Sequence, residues 1–180
     1  NSGTISTSYL ANTNLINYST NETTNLTAGF VGENSGNIDF SYAKADDTTI
    51  TNLNPYSTGY VIENKGNGIV AGFVYSNTGT ISNAYANLEL QTKSAYISGF
   101  VYSNVGTVSE SYAATTMNSG DADNNAEQPF VGVDNAGNLL SNGELYNAYF
   151  LAEKNYVLFA KGDKPQAVGL DEINFAEANN

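Results

Sequence analysis

The chain has 180 residues (19.1 kDa), with 6 Lys+Arg against 18 Asp+Glu, a formal net charge of −12, and no His, Cys or Trp. Every cation is a lysine, so a His-based triad, a His or Cys zinc site, a disulfide framework and an arginine clamp for phosphate are all excluded, and the acid excess argues against nucleic acid as a partner. The 27 Asn, 17 Gly and 13 Tyr, with 41% hydrophobic and only 13% charged residues, suit short strands joined by tight turns, not helices or disorder.

In chain order, residues 1–9 (Asn-Ser-Gly-Thr-Ile-Ser-Thr-Ser-Tyr) form the second half of a unit that recurs downstream. The chain thus opens inside a repeat and has no initiator Met or signal peptide. It reads as an excised or processed segment continuing into further repeats of a parent chain. The first full copy is 29–43, Gly-Phe-Val-Gly-Glu-Asn-Ser-Gly-Asn-Ile-Asp-Phe-Ser-Tyr-Ala. A partial copy at 59–67 has only the first half and reads as a truncated turn or a hairpin. Copies at 72–86 and 99–113 lie 27 residues apart and match closely. A disrupted copy at 129–149 begins Pro129-Phe130-Val131, carries Asn135 and Leu139, and regains the motif at Asn147-Ala148-Tyr149 after a short insertion. The intervals 10–27, 44–57, 88–95 and 116–128 read as variable insertions. Residues 153–180 read as a closing or capping segment, with a short helix over 171–178. No run of about 18 apolar residues occurs, so no membrane insertion is expected.

Gly-Phe-Val and Thr-Ile-Ser-x-Ser-Tyr-Ala are short strand patterns, and the Asn-x-Gly between them is a turn signal in which Gly supplies positive φ. One copy cannot bury its own apolar positions, so copies must stack. The expected fold is all-β: a right-handed parallel β-helix (solenoid) of about five coils spaced about 4.8 Å apart, with irregular loop insertions. An antiparallel hairpin per repeat, giving a meander, sandwich or propeller blade, is the alternative. Stacking places like on like. Phe30, Phe73, Phe100 and Phe130, with Tyr60, form one column and Val31, Val74, Val101 and Val131 the next. Ile5, Ile38, Ile81, Val108 and Leu139 form a third. Asn34, Asn64, Asn77, Asn104 and Asn135 form an amide ladder, following Gly29, Gly72 and Gly99 and preceding Gly36, Gly79 and Gly106. Tyr9, Tyr42, Tyr85, Tyr112 and Tyr149 form a fifth column. Strand parity points these tyrosines inward with Ile81, whereas a bulge at Asn83 turns Ala84 and Ala86 inward instead.

The unit Gly-Phe-Val-x-x-Asn-x-Gly-x-Ile-x-x-Ser-Tyr-Ala over residues 1–152 resembles the GLUG repeat of large bacterial surface proteins, among them filamentous-haemagglutinin-like exoproteins of two-partner secretion systems. Residues 149–152 followed by Val168-Gly169-Leu170-Asp171-Glu172-Ile173 are similar to the segment that closes such arrays. The resemblance implies a secreted, surface-exposed, fibrous adhesin without catalytic residues, whose receptor is a host cell, another bacterium or a glycan. A passive stalk of a toxin-delivery filament is the rival reading, and a carbohydrate-active β-helix enzyme a remote third.

The candidate chemistry is sparse. Asp121 and Asp123, like Asp46 and Asp47, are loop acids that could take Ca²⁺ but lack the glycine and terminal glutamate of an EF-hand loop. Glu33, Glu63, Glu110 and Asp134 are the acids nearest the repeat strands and read as tolerated surface. Asn17, Asn21 and Asn25 each begin an Asn-x-Ser/Thr sequon, a possible glycosylation site or a chance product of composition. Tyr56, Tyr75 and Tyr102 are expected to be exposed, where their rings could stack on sugars.

Overall fold

The computed structural model describes residues 1–19, 25–45, 61–93, 96–119, 127–134 and 136–151, together with the backbone of 168–170. All its described regular elements are strands. The first circuit contains β1 (Thr4–Ser6), β2 (Tyr9–Ala11), β3 (Leu15–Asn17) and β4 (Leu26–Ala28). The second contains β5 (Val31–Asn34), β6 (Asn37–Asp39), β7 (Tyr42–Lys44), β8 (Val61–Asn64) and β9 (Ile69–Ala71). The third repeats that order as β10 (Val74–Asn77), β11 (Thr80–Ser82), β12 (Tyr85–Asn87), β13 (Glu89–Thr92) and β14 (Ile97–Ser98). The fourth has β15 (Val101–Asn104), β16 (Thr107–Ala113), β17 (Thr116–Asn118) and β18 (Glu127–Gln128), and β19 (Glu144–Leu151) and β20 (Val168–Leu170) follow.

Each strand pairs with its counterpart one circuit away, and every named pairing is parallel. The pairings build four sheets: β15-β10-β5; β17-β13-β8-β3; β18-β14-β9-β4; and a nine-stranded sheet carrying β1, β2, β6, β7, β11, β12, β16, β19 and β20. A hairpin within each repeat would pair β10 with β11. Instead they lie in different sheets, and the one antiparallel contact among the described residues is the Val133–Leu139 bridge.

Register survives large changes in circuit length. Successive ladder asparagines are 33, 43 and 27 residues apart, so the expected spacing of 27–30 fits one of these three steps. Extra residues enter between strands and leave pairing untouched, because a one-residue slip would turn every buried side chain outward.

The core is the set of inward columns. Phe30, Phe73, Phe100 and Phe130 stack with ring centroids 4.7–4.9 Å apart, and the last three are fully buried. Val31, Val74 and Val101 align, with Val131 bridged to Val101. The column Ile5, Ile38, Ile81 and Val108 continues to Leu145, not to the expected Leu139. Leu139 belongs instead to a small hairpin whose turn is closed by Asp134, with Gly137 at φ +80°.

The asparagine ladder runs Asn1, Asn34, Asn77, Asn104. Each Nδ2 donates to the next Oδ1 at 2.8 Å. Two expected members differ. Asn64 lies in β8, which pairs in parallel with β3 and β13, so Val61–Asn64 of the 59–67 copy is an ordinary strand of another sheet, neither a truncated turn nor a hairpin. Asn64 Oδ1 accepts from Asn25, whose own Oδ1 accepts from Asn17, making a second ladder. Asn135 and Tyr60 lie outside the described residues, and Ser141 is the residue opposite Asn104.

The repeat glycines serve close approach rather than positive φ. A Cβ on Gly29, Gly72 or Gly99 would sit 2.0–2.1 Å from a carbonyl oxygen of the following circuit. One on Gly36, Gly79, Gly106 or Gly143 would sit equally close to a carbonyl of the preceding circuit. Only glycine lets backbones stack at this distance. Of the intervals read as insertions, 10–27 contains β3 and most of β2 and β4, 88–95 contains β13, and 116–128 contains β17 and β18, so these strands are parts of the circuits and not projecting loops; Leu88 and Leu90 are core residues. The proposed closing segment beyond 151, apart from β20, lies outside the described residues, as does the helix expected over 171–178.

Candidate functional site: the outward tyrosine face

The nine-stranded sheet turns a corner in every circuit. Thr7, Phe40, Asn83, Glu110 and Asn147 occupy the same position and all have φ between 46° and 51°. That left-handed residue shifts strand parity by one. Ser41, Ala84, Ser111 and Ala148 therefore face inward and are nearly fully buried, as are Ala43, Ala86 and Ala113. The tyrosines between them face out. The inward serines repair the break: Ser111 Oγ donates to the Ser109 carbonyl at 2.7 Å and accepts from the Ala84 N–H at 3.2 Å. Ser41 does the same with the Asp39 carbonyl and the Ser8 N–H.

Tyr9, Tyr42, Tyr85 and Tyr112 stack along the outer face with centroids 4.8–5.2 Å apart and planes within 10°. Tyr149 holds the next register position. Burial, and then the neighbouring Tyr85, push the Tyr112 hydroxyl up to about 12, so it stays protonated. The Lys44 ammonium lies 5.9 Å from the centre of the Tyr42 ring. Because each ring covers the next, the interior faces are unavailable to a sugar. Along its length the column offers ring edges and hydroxyls.

The corner residues make a polar rim beside this column. Asp39 Oδ1 accepts from Asn83 Nδ2 at 2.9 Å and from Ser82 Oγ at 2.8 Å, and the Asn83 bond leads the causes that hold its carboxyl below the ordinary range. Glu110 accepts from Asn147 Nδ2 at 2.6 Å. Phe40, 61% exposed, is the one aromatic residue on this rim, on backbone that bulky side chains rarely adopt.

Other expected site residues behave differently. Tyr75 and Tyr102 stack, but neither is exposed. Tyr102 is 7% accessible because the 132–140 hairpin covers it, and its hydroxyl donates to the Val133 carbonyl at 3.0 Å. Tyr75 is half-buried, and burial raises its pKa, with Glu33 adding to the shift. Tyr56 lies outside the described residues, as do Asn21, Asp46, Asp47, Asp121 and Asp123. Asn25 is 4% exposed and its Nδ2 donates to Asn64 Oδ1 and to the Ser19 carbonyl. A glycan on that nitrogen would have to displace both bonds. Asn17 Nδ2 is likewise committed to Asn25 Oδ1. Glu63 pairs with Lys65 at 3.4 Å, and Asp134 caps its own turn through the N–H groups of Ala136 and Asn138. Among the described residues no three His, Cys, Asp or Glu side chains gather as a metal site. A cleft of about 250 Å³ is lined by Asn1, Ser2, Glu33, Asn34, Ser76 and Thr78 among others, all polar. No described helix is long and apolar enough to cross a membrane.

The αL corner corresponds to the bulge at Asn83 that the sequence offered as one of two alternatives. Its signal is the residue two before each repeat tyrosine, which is Thr, Phe, Asn, Glu and Asn in turn, while the residue after it is always Ser or Ala. Comparison of the chain with protein-family models, curated proteins and solved structures finds no match.

Proposed function

We propose that the chain is a length of right-handed parallel β-helix from a secreted, surface-exposed bacterial adhesin of the GLUG-repeat, filamentous-haemagglutinin-like kind. In this reading it supports attachment to host cells, other bacteria or glycans, has no catalytic role and needs no cofactor. The observation that carries the proposal is the register. The same strand positions realign after steps of 27 and 43 residues, so the stack fixes a rigid rod and leaves inter-strand segments free to vary, which is how repeat proteins carry binding surfaces. The charge of −12 keeps such a rod soluble. A spacer role is the second reading, favoured by the mutual covering of the tyrosine rings.

The test is binding of the folded chain to a glycan array and to host and bacterial cells, beside a variant in which residues 47–58 and 120–126 are replaced by Gly-Ser linkers. Saturable binding lost in the variant with its β-sheet circular dichroism intact supports attachment through those segments. Absence of binding by the intact folded chain leaves the spacer reading. Replacing 88–95, in contrast, would remove core residues and test stability only.

A further inference from the structure

We infer that Phe40 is the stacking platform of a subsite for one pyranose ring of an uncharged glycan, with the Asp39 carboxylate and the Asn83 amide beside it to bind the sugar hydroxyls. The inference rests on the attachment reading and places a contact at the corner of the nine-stranded sheet, apart from the inter-strand segments.

Phe40 is anomalous in two independent ways. Its φ of 46° is left-handed, where a bulky side chain is disfavoured, and the same corner holds Asn83 and Asn147, a residue type that tolerates such backbone. Its ring is also 61% exposed, although Thr7 and Asn83 occupy the equivalent positions one circuit before and one circuit after it. The exposure is therefore set by the outward corner position and not by an end of the stack. The residue weakens the fold twice, through backbone strain and through apolar surface left in water. A feature of that kind persists where it serves contact with something else.

The surroundings select the ligand. The rings of the neighbouring tyrosine column cover one another, whereas no ring stacks on Phe40 among the described residues. Thr7, Asp39, Ser82 and Asn83 ring it with polar side chains. A single ring with polar neighbours lacks the contiguous apolar centre of a protein interface. It matches a pyranose, which is apolar on its C–H face and hydroxylated at its edge. The hydrogen-bonding groups are already fixed: Asp39 Oδ1 accepts from Ser82 Oγ at 2.8 Å and from Asn83 Nδ2 at 2.9 Å. The Asn83 amide, itself exposed, keeps a second N–H for a sugar oxygen. Asn83, Glu110 and Asn147 then continue the corner at one circuit each, about 4.8 Å apart. An extended glycan lying along the axis meets a polar side chain at every step. Asp39 and Glu110 make the strip acidic, which selects against sialylated or sulfated chains.

The experiment screens the full chain against cello-, N-acetylchito-, malto- and mannotetraose, with sialylated and sulfated glycans alongside, by calorimetric titration and amide chemical-shift mapping. Saturable binding of at least one uncharged tetrasaccharide is expected, with shifts at Asp39, Phe40 and Asn83 and no binding of the charged glycans. Phe40→Asn should weaken it about tenfold or more. Its thermal midpoint should hold or rise, because asparagine already occupies this corner in two other circuits. Phe40→Tyr should retain the binding. Weaker binding without lower stability is a split that a purely structural ring would not produce. If Phe40→Asn misfolds, the shift mapping on the unaltered chain decides. The chain with residues 47–58 and 120–126 replaced keeps Phe40 and should bind the sugar as the intact chain does. Cell attachment without sugar binding overturns the subsite and leaves the attachment reading standing. The subsite is also overturned by equal sugar binding of folded Phe40→Asn, by shifts confined to other circuits, or by sugar-free self-association that Phe40→Asn abolishes, which would make the ring a protein anchor. No saturable binding of any uncharged tetrasaccharide overturns it as well.

Discussion

Replacing Asn77 by alanine interrupts the ladder at its centre. The side chain is fully buried. It donates to Asn104 Oδ1 at 2.8 Å and to the Gly79 carbonyl at 3.3 Å, and accepts from Asn34 Nδ2 at 2.8 Å. Truncation removes two amide–amide bonds, each contributing about 0.5–1.5 kcal/mol net. It also strips the buried Asn104 Oδ1 of its ladder partner, which costs about 1–3 kcal/mol. Asn34 keeps a contact to the Gly36 carbonyl at 3.2 Å, so the second orphan is partly satisfied. The sum is a loss of about 2–6 kcal/mol, against under about 1 kcal/mol for Asn1→Ala, whose exposed position lets water replace the lost bond. The isosteric Asn77→Asp adds a pH signature. An oxygen then faces Asn104 Oδ1, and burial raises the carboxyl pKa above its unfolded value of about 3.9. A raised folded pKa means the variant is nearest wild type below about pH 4 and loses stability as pH rises, by up to about 1.4 kcal/mol per unit between the two pKa values. Urea unfolding followed by far-ultraviolet circular dichroism at pH 4 and pH 7, each variant compared with wild type at the same pH, reads both effects. An Asn77→Ala loss below about 0.5 kcal/mol, or an Asn1→Ala loss of equal size, refutes the ladder argument.

Four further outcomes follow from the same contacts. Gly79→Ala should destabilise by about 1–3 kcal/mol or more, because its methyl would lie 2.1 Å from the Gly36 carbonyl oxygen, and thermal melts against Gly3→Ala, whose methyl meets nothing within 4 Å, should separate the two. Phe73→Ala should cost about 3–5 kcal/mol, since the ring is fully buried between Phe30 and Phe100; urea midpoints give the value. Phe40→Gly should raise stability by up to about 1–2 kcal/mol by removing a side chain from left-handed backbone, unless the exposed ring makes contacts worth more, and the sign of the change in midpoint decides. Asn83→Ala should raise the Asp39 pKa toward its ordinary value, because the Asn83 amide is the leading cause of its depression. The Asp39 contribution is present above the unfolded pKa and lost as pH falls, so carbon-detected titration of its carboxyl checks both statements.

The columns were legible because they rest on pairs of closely matched copies. Phe73 over Phe100, Val74 over Val101 and Ile81 over Val108 follow from the 27-residue repeat alone. The corner was half legible: Ile81 and Tyr85 share strand parity, and only the left-handed Asn83 turns the tyrosine outward. The two remaining sheets were hidden for a physical reason. Leu15, Ile62, Leu90 and Met117 form one inner column, but their neighbours share no motif, since a parallel pair needs matching burial and not matching identity. Asn64 was misplaced because Val61-Ile62-Glu63-Asn64 imitates the Gly-Phe-Val-x-x-Asn pattern, while its neighbours in space are Asn17 and Asn25. The glycines were found for the wrong reason. Turns attract glycine through positive φ, and here a carbonyl of the adjacent circuit excludes the Cβ. Tyr102 could not be placed from its copy at Tyr75, because the hairpin that buries it belongs only to the last circuit.

Every functional statement depends on the parallel register, and proton–proton contacts in solution by nuclear magnetic resonance test it most directly. The account predicts parallel backbone contacts of Thr80 with both Asn37 and Thr107, together with side-chain contacts linking Ile38, Ile81 and Val108 and linking Tyr42, Tyr85 and Tyr112. Close antiparallel Hα–Hα contacts between residues 74–77 and 80–82, the mark of a hairpin within each repeat, would contradict it.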